Sequence, residues 1–126
     1  MTTTKNLGIW MDHASAHVME IADPMVTNIV VSESTHEEKE KTLQKGESIM
    51  HNKNQQQQAD YYKKLGAFIK DYDDVLLFGP TDAKVELFNI LKADLSFSKI
   101  KIEIRQTDKM TENQEHAFVR EYFSKN

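Results

Sequence analysis

The stretch Val75-Leu76-Leu77-Phe78-Gly79-Pro80-Thr81-Asp82-Ala83-Lys84-Val85-Glu86-Leu87 constrains the fold more than any other part of the chain. Val75 to Phe78 is apolar without alternation, the pattern of a strand buried on both faces. Gly79 and Pro80 end that strand, and Pro80 suits a helix entry because it has no N–H to leave unpaired. Thr81 or Asp82 is placed to cap the helix. Leu87, Ile90 and Leu91 then form an apolar stripe that folds it back over the sheet. A doubly buried strand running into a covering helix is the unit of a layered α/β domain.

The remaining segments fit around that unit. Leu7 to Asp12 and Ala16 to Ile21 are short and largely apolar, joined by His13-Ala14-Ser15, a link compact enough for a hairpin. Asp23-Pro24 marks a turn, and Val26 to Val31 is β-branched almost throughout, a third strand of an antiparallel meander. From Glu33 to Asn54 charged residues crowd in, and only Leu43, Ile49 and Met50 are large and apolar. Such a stretch buries too little to offset its ordering entropy and reads as a long mobile polar loop. A helix is expected to open near Gln55 and run to about Tyr72, with Tyr61, Tyr62, Leu65, Phe68 and Ile69 on its apolar face. Lys99 to Ile104 alternates like a half-exposed edge strand. Thr111-Glu112-Asn113-Gln114 has the form of a capping box ahead of a last helix carrying Phe118, Val119, Tyr122 and Phe123. The order β-β-β-α-β-α-β-α, with parallel pairing through right-handed crossovers, is that of a three-layer ribonuclease H-like domain with a mixed five-stranded sheet. At 126 residues the chain is expected to form this one domain, residues 1–126.

Composition narrows the function. A net charge of −4 supplies no global basic field for nucleic acid or an anionic membrane. The chain has no cysteine, which excludes disulfides and thiolate zinc sites. No apolar run approaches the ~20 residues of a membrane span, and Met1 to Asn6 does not read as a signal peptide. A cytoplasmic protein without cofactor or metal is the expectation.

Three constellations bear on chemistry. Asp12 ends the first strand where a two-metal nuclease would hold a carboxylate, but Val75 to Phe78 offers no carboxylate partner. Asp12 therefore reads as a turn former, accepting backbone N–H bonds around His13. His13 and His17 flank the hairpin loop without a recognised zinc-ligand spacing, and His36, His51 and His116 are scattered. Ser15 lies between His13 and His17, so a small hydrolase using Asp12, His13, Ser15 and His17 is one alternative function, although no nucleophile elbow surrounds the serine. Gly79, Pro80 and Lys84 sit at a helix N-terminus, a place that can hold an anion. Trp10 and the tyrosines read as core or groove lining.

The run Val75 to Pro80, with Lys84, Glu86 and Leu87 behind it, resembles the strand–Gly-Pro–x-x-x-Lys–x-Glu-Leu/Phe signature of the middle domain of archaeal and eukaryotic class-one peptide release factors, shared by the ribosome-rescue factor Pelota. Gly8 to Asp12 followed by Ala16 to Ile21 is similar to that domain's first hairpin. The resemblance runs from Leu7 to Phe123 and implies a translation-associated protein with the ribosome or RNA as partner. Release factors carry Gly-Gly-Gln ahead of the first long helix and use it to promote peptidyl-tRNA hydrolysis. Here the matching segment, Lys45 to Gln55, contains only Gly46 as glycine. The expectation is thus a non-catalytic binding protein, with Lys45, Gly46, His51 and Lys53 as the contact. A homo-oligomeric interaction domain, pairing through an edge strand such as Lys99 to Ile104, is the other alternative.

Overall fold

In the computed structural model, residues 5–21, 26–32 and 47–124 are described, with side chains from 58 onward in the last segment. Five strands form one mixed sheet: β1 (Asn6–Met11), β2 (Ser15–Glu20), β3 (Val26–Val31), β4 (Asp74–Gly79) and β5 (Lys101–Gln106). Their spatial order is β3-β2-β1-β4-β5. β1 pairs antiparallel with β2 and parallel with β4, so the sheet changes character at β1. β2–β3 is antiparallel and β4–β5 parallel. The expected meander followed by parallel strands is the architecture observed.

Strand alternation divides the core in two. Leu7, Ile9 and Met11 of β1 and Val75 and Leu77 of β4 face one side, where they pack with Tyr61, Tyr62, Leu65 and Ile69 of α1 (Glu47–Ile69). Leu87 and Leu91 of α2 (Ala83–Lys92) complete that layer. Trp10, Met19, Leu76 and Phe78 face the other side, against Val119 of α3 (Glu112–Ser124). Val75 to Phe78 are all fully buried, as a strand covered on both faces must be. A short 3-10 turn, Leu95–Phe97, follows α2.

α1 begins at Glu47 rather than near Gln55, because nothing between Glu47 and Leu65 is glycine or proline and the turns propagate back from the packed end. The expected loop therefore stops short: Glu47 to Asn54 has helical backbone, and residues 33–46 lie outside those described. α1 also ends at Ile69, before Tyr72. Pro80 is not the first residue of α2. Asp82 is the N-cap, its carbonyl accepting from Val85 and Glu86, while Thr81 Oγ1 accepts from Ala83 N–H. Leu87 and Leu91 are buried, but Ile90 is exposed and leaves the stripe. The capping box at α3 forms in both directions, Gln114 N–H to Thr111 Oγ1 at 3.2 Å and Thr111 N–H to Gln114 Oε1 at 2.9 Å.

Gly8 lets α3 approach the sheet: a Cβ there would collide with the Val119 side chain. Gly79 has φ 150°, and a Cβ on it would strike the Met11 carbonyl of the neighbouring strand. Only glycine meets both demands at Gly79.

Candidate binding site at the carboxyl ends of the parallel strands

β1, β4 and β5 run the same way, so their carboxyl ends meet at one end of the sheet, beside the start of α2. In open α/β sheets this end, where the topology switches, is where ligands are bound. The sequence places Asp12 and His13 there from β1, Gly79 and Pro80 from β4, Gln106 from β5, and Asp82 and Lys84 from α2.

Asp12 forms the turn expected of it. Its Oδ1 accepts from Ala14 N–H and Ser15 N–H, both at 2.8 Å, while its backbone N–H donates to Ser15 O at 3.0 Å. The Tyr61 hydroxyl donates to the Asp12 carbonyl at 2.8 Å, fastening the hairpin to α1. Burial, with Asp12 close by, pushes the Tyr61 phenol well up from its ordinary value.

His13 leaves the hairpin toward α2, its Nε2 lying 3.2 Å from Glu86 Oε2. Glu86 Oε1 accepts from the Tyr62 hydroxyl at 2.6 Å. The Tyr62 hydrogen bond first, and His13 second, hold the Glu86 carboxyl below its usual range against the opposing effect of burial. Burial and the bond to Glu86 raise the Tyr62 phenol. His13 and Glu86 are each about half exposed, at 46% and 49%. Nothing local in the sequence joins residues 13, 62 and 86; only the signature glutamate was visible beforehand.

Lys84 is 1% exposed. Its ammonium donates to the Thr81 carbonyl and, at 2.7 Å, to Gln106 Oε1, and Gln106 Nε2 donates to the Pro80 carbonyl at 3.1 Å. Burial lowers the Lys84 ammonium from its ordinary value. The lysine thus ties the start of α2 to the end of β5, and Gly79, Pro80 and Lys84 together shape this end of the sheet. Lys45 and Gly46 lie outside the described residues, and for His51 and Lys53 only the helical backbone is described.

The hairpin residues separate. His17 points to the α3 face, where its Nδ1–H donates to Glu115 Oε1 at 2.7 Å and its ring stacks on Trp10 at 5.1 Å. Among the described residues no hydrogen bond joins Ser15 to His13 or His17, and no group of histidines and carboxylates is arranged to hold a metal ion. Beside the site, α1 and α2 part into an open groove of about 410 Å³, floored by Tyr62, Gly66, Leu91 and Phe97 and edged by Lys63 and Lys70. No described helix is long and apolar enough to cross a membrane.

The 3-2-1-4-5 mixed sheet with two helices on one face and one on the other defines a ribonuclease H-like three-layer α/β domain. Within that class the structure is similar to the Thermoplasma acidophilum Pelota protein, with a TM-score of 0.59 over 93% of this chain and 32% of that one, at 14% identity. It is also similar to Archaeoglobus fulgidus Pelota, with a TM-score of 0.61 over 95% of this chain and 32% of that one, at 7% identity. The chain therefore spans 32% of the length of each of these proteins, and the likeness is one of fold. No family model and no curated protein matches the sequence.

Proposed function

We propose that this chain is a non-catalytic binding domain associated with translation, of the kind found in the middle of release factors and Pelota. The observation that carries the reading is the geometry at the end of β1. Asp12 spends its carboxylate oxygen on its own turn, and His13 and His17 are drawn to opposite faces by Glu86 and Glu115. That arrangement gives Ser15 no base and gives a metal no convergent ligands, so it favours binding over the hydrolase alternative. The likeness of fold to Pelota supports the translation setting, as does the signature from Gly79 to Leu87 around which this end of the sheet is built. From the sequence we assign the contact to Lys45, Gly46, His51 and Lys53, with Gly79, Pro80 and Lys84 supporting it from the sheet.

Co-sedimentation of the protein with ribosomes across a salt series tests this. Phosphate-dominated docking gives co-migration at low salt that weakens steeply as salt rises, and Lys45→Glu with Lys53→Glu abolishes it. A protein that stays at the top of the gradient at every salt concentration, in extracts from starved as well as growing cells, overturns the reading.

A further inference from the structure

The sheet has two edges, and they are built differently. β5 carries Lys101, Glu103 and Arg105, with Arg105 and Glu103 paired at 3.0 Å. Charges of this kind guard an edge against another strand. β3, at the opposite edge, reads Val-Thr-Asn-Ile-Val-Val and has neither a charge nor a proline. Of the seven exposed large apolar side chains among the described residues, three, Val26, Ile29 and Val31, lie in this strand. Ile29 is 66% exposed.

The direction of the free backbone groups follows from the register. Ser32 N–H donates to Ala14 O, so the even-numbered residues of β3 bond inward to β2, as the pairs Ala16 with Val30 and Val18 with Asn28 require. Thr27, Ile29 and Val31 therefore turn their N–H and C=O groups outward. None of the three makes a backbone hydrogen bond on that side among the described residues. Side chains of these three residues share the α3 face; α3 reaches Thr27, whose Oγ1 lies 2.9 Å from His116 Nε2, but leaves Ile29 and Val31 exposed.

We propose that β3 is a self-pairing edge, at which two copies of this chain join antiparallel about a two-fold axis through Ile29. An axis perpendicular to the sheet preserves its faces, so residues opposite one another must share a face and their numbers must have the same parity. Centring the axis on Ile29 sets Ile29 against Ile29 and Thr27 against Val31, and each such pair exchanges two N–H···O=C bonds between outward-facing groups. Moving the axis along the strand by one residue leaves part of that ladder beyond the strand's end. The same register puts exposed Ile29 against its own copy and exposed Val31 against Thr27, cross-strand pairs of the kind that stabilise a sheet. A two-fold pairing sets the central residue of a strand opposite its own copy. An uncharged strand tolerates this, whereas β5 carries Lys101, Glu103 and Arg105 along its length, charges of the kind that guard an edge. Self-pairing is therefore assigned to β3 rather than to the charged edge near Lys99 to Ile104. It would continue two five-stranded sheets into one and is independent of any ribosome contact.

Sedimentation equilibrium over a concentration series tests the proposal. The wild type is expected at twice its 14.6 kDa chain mass. Ile29→Lys and Ile29→Glu, each folded by circular dichroism, are expected to halve that mass by setting like charges together. Mixing the two variants is expected to restore the doubled mass as a heterodimer, since residue 29 then meets its opposite charge. Glu103→Lys leaves the dimer unchanged. A wild type of 14.6 kDa at every concentration overturns the proposal. So does a dimer that survives both single charged variants, or charged variants that do not recombine.

Discussion

The two faces of this sheet are made from the same strands yet are finished in different ways. One is roofed by α1 and α2, and its few polar groups lie at the rim: Tyr61 holds the Asp12 carbonyl, and Tyr62 and His13 hold Glu86. The other has α3 alone. Its apolar cluster is smaller and leans on half-buried Met110, Phe118, Tyr122 and Phe123. Along the flank of α3 the covering becomes a polar seam, His17 with Glu115 and Thr27 with His116 at 2.9 Å, and past it Ile29 and Val31 are exposed. A strand can be apolar on both sides and still have one side finished by solvent or by a partner. Which face is closed depends on how many helices the connections deliver to it.

Leu76 and Leu77 allow the largest test of that contrast, because they are adjacent, both 0% exposed, and point to opposite faces. Leu77→Ala opens a cavity under two fixed helices and is expected to cost about 4 kcal/mol. Leu76→Ala is expected to cost roughly 2–3 kcal/mol, because the half-buried aromatic side chains of α3 can settle into the space. Chemical denaturation of both variants measures the difference; equal costs would mean that the faces are equally rigid.

Gly8→Ala tests how closely α3 sits. The added methyl meets Val119 and is expected to destabilise by about 2 kcal/mol. Adding Val119→Ala makes room, so the double variant is expected to be more stable than the sum of the single changes. Additive losses would show that α3 is not held against Gly8.

Glu115→Ala removes one member of the polar seam. The Glu115 side chain is 1% exposed and that of His17 27%, so His17 is left with a lost partner but some access to water. A loss of roughly 1–3 kcal/mol follows, read as a lowered denaturation midpoint. Glu115→Gln, which keeps an acceptor oxygen, should recover part of it.

The smallest expected effect is a pH dependence that spans both faces. The four tyrosines, Tyr61, Tyr62, Tyr72 and Tyr122, all have phenols raised, chiefly by burial, and Tyr72 is pushed up to about 12. An unfolded chain releases these protons near pH ~10, while the folded one retains them. The associated stability is complete below that value and is lost as pH rises through the folded-state pKa values. Phenolate absorbance during an alkaline titration is therefore expected to appear late and together with loss of the far-ultraviolet helix signal. Ordinary titration of a still-folded protein would contradict the burial of these rings.

Much of this was legible because it is local. The doubly buried β4, the Asp12 turn, the capping box of α3 and the order of elements each depend on a few neighbouring residues and the backbone bonds they favour. The start of α1 was misplaced because polar composition argues against burial, and helix formation does not require burial when a packed end propagates outward. Lys84 shows a limit at the site: its spacing put it one turn into the helix behind Gly79-Pro80, but its partners, the Thr81 carbonyl and Gln106, came only from the fold.

By itself the sequence determined the strands, the helices and the glycine at which β4 must turn, since hydrophobic period and backbone sterics act over a few residues. The tertiary structure alone decided that His13 and His17 part company, that Tyr62, Glu86 and His13 meet, and that β3 and β5 take the two edges of the sheet. Those outcomes depend on register and on which face each helix covers, quantities summed over contacts dozens of residues apart that no local pattern records.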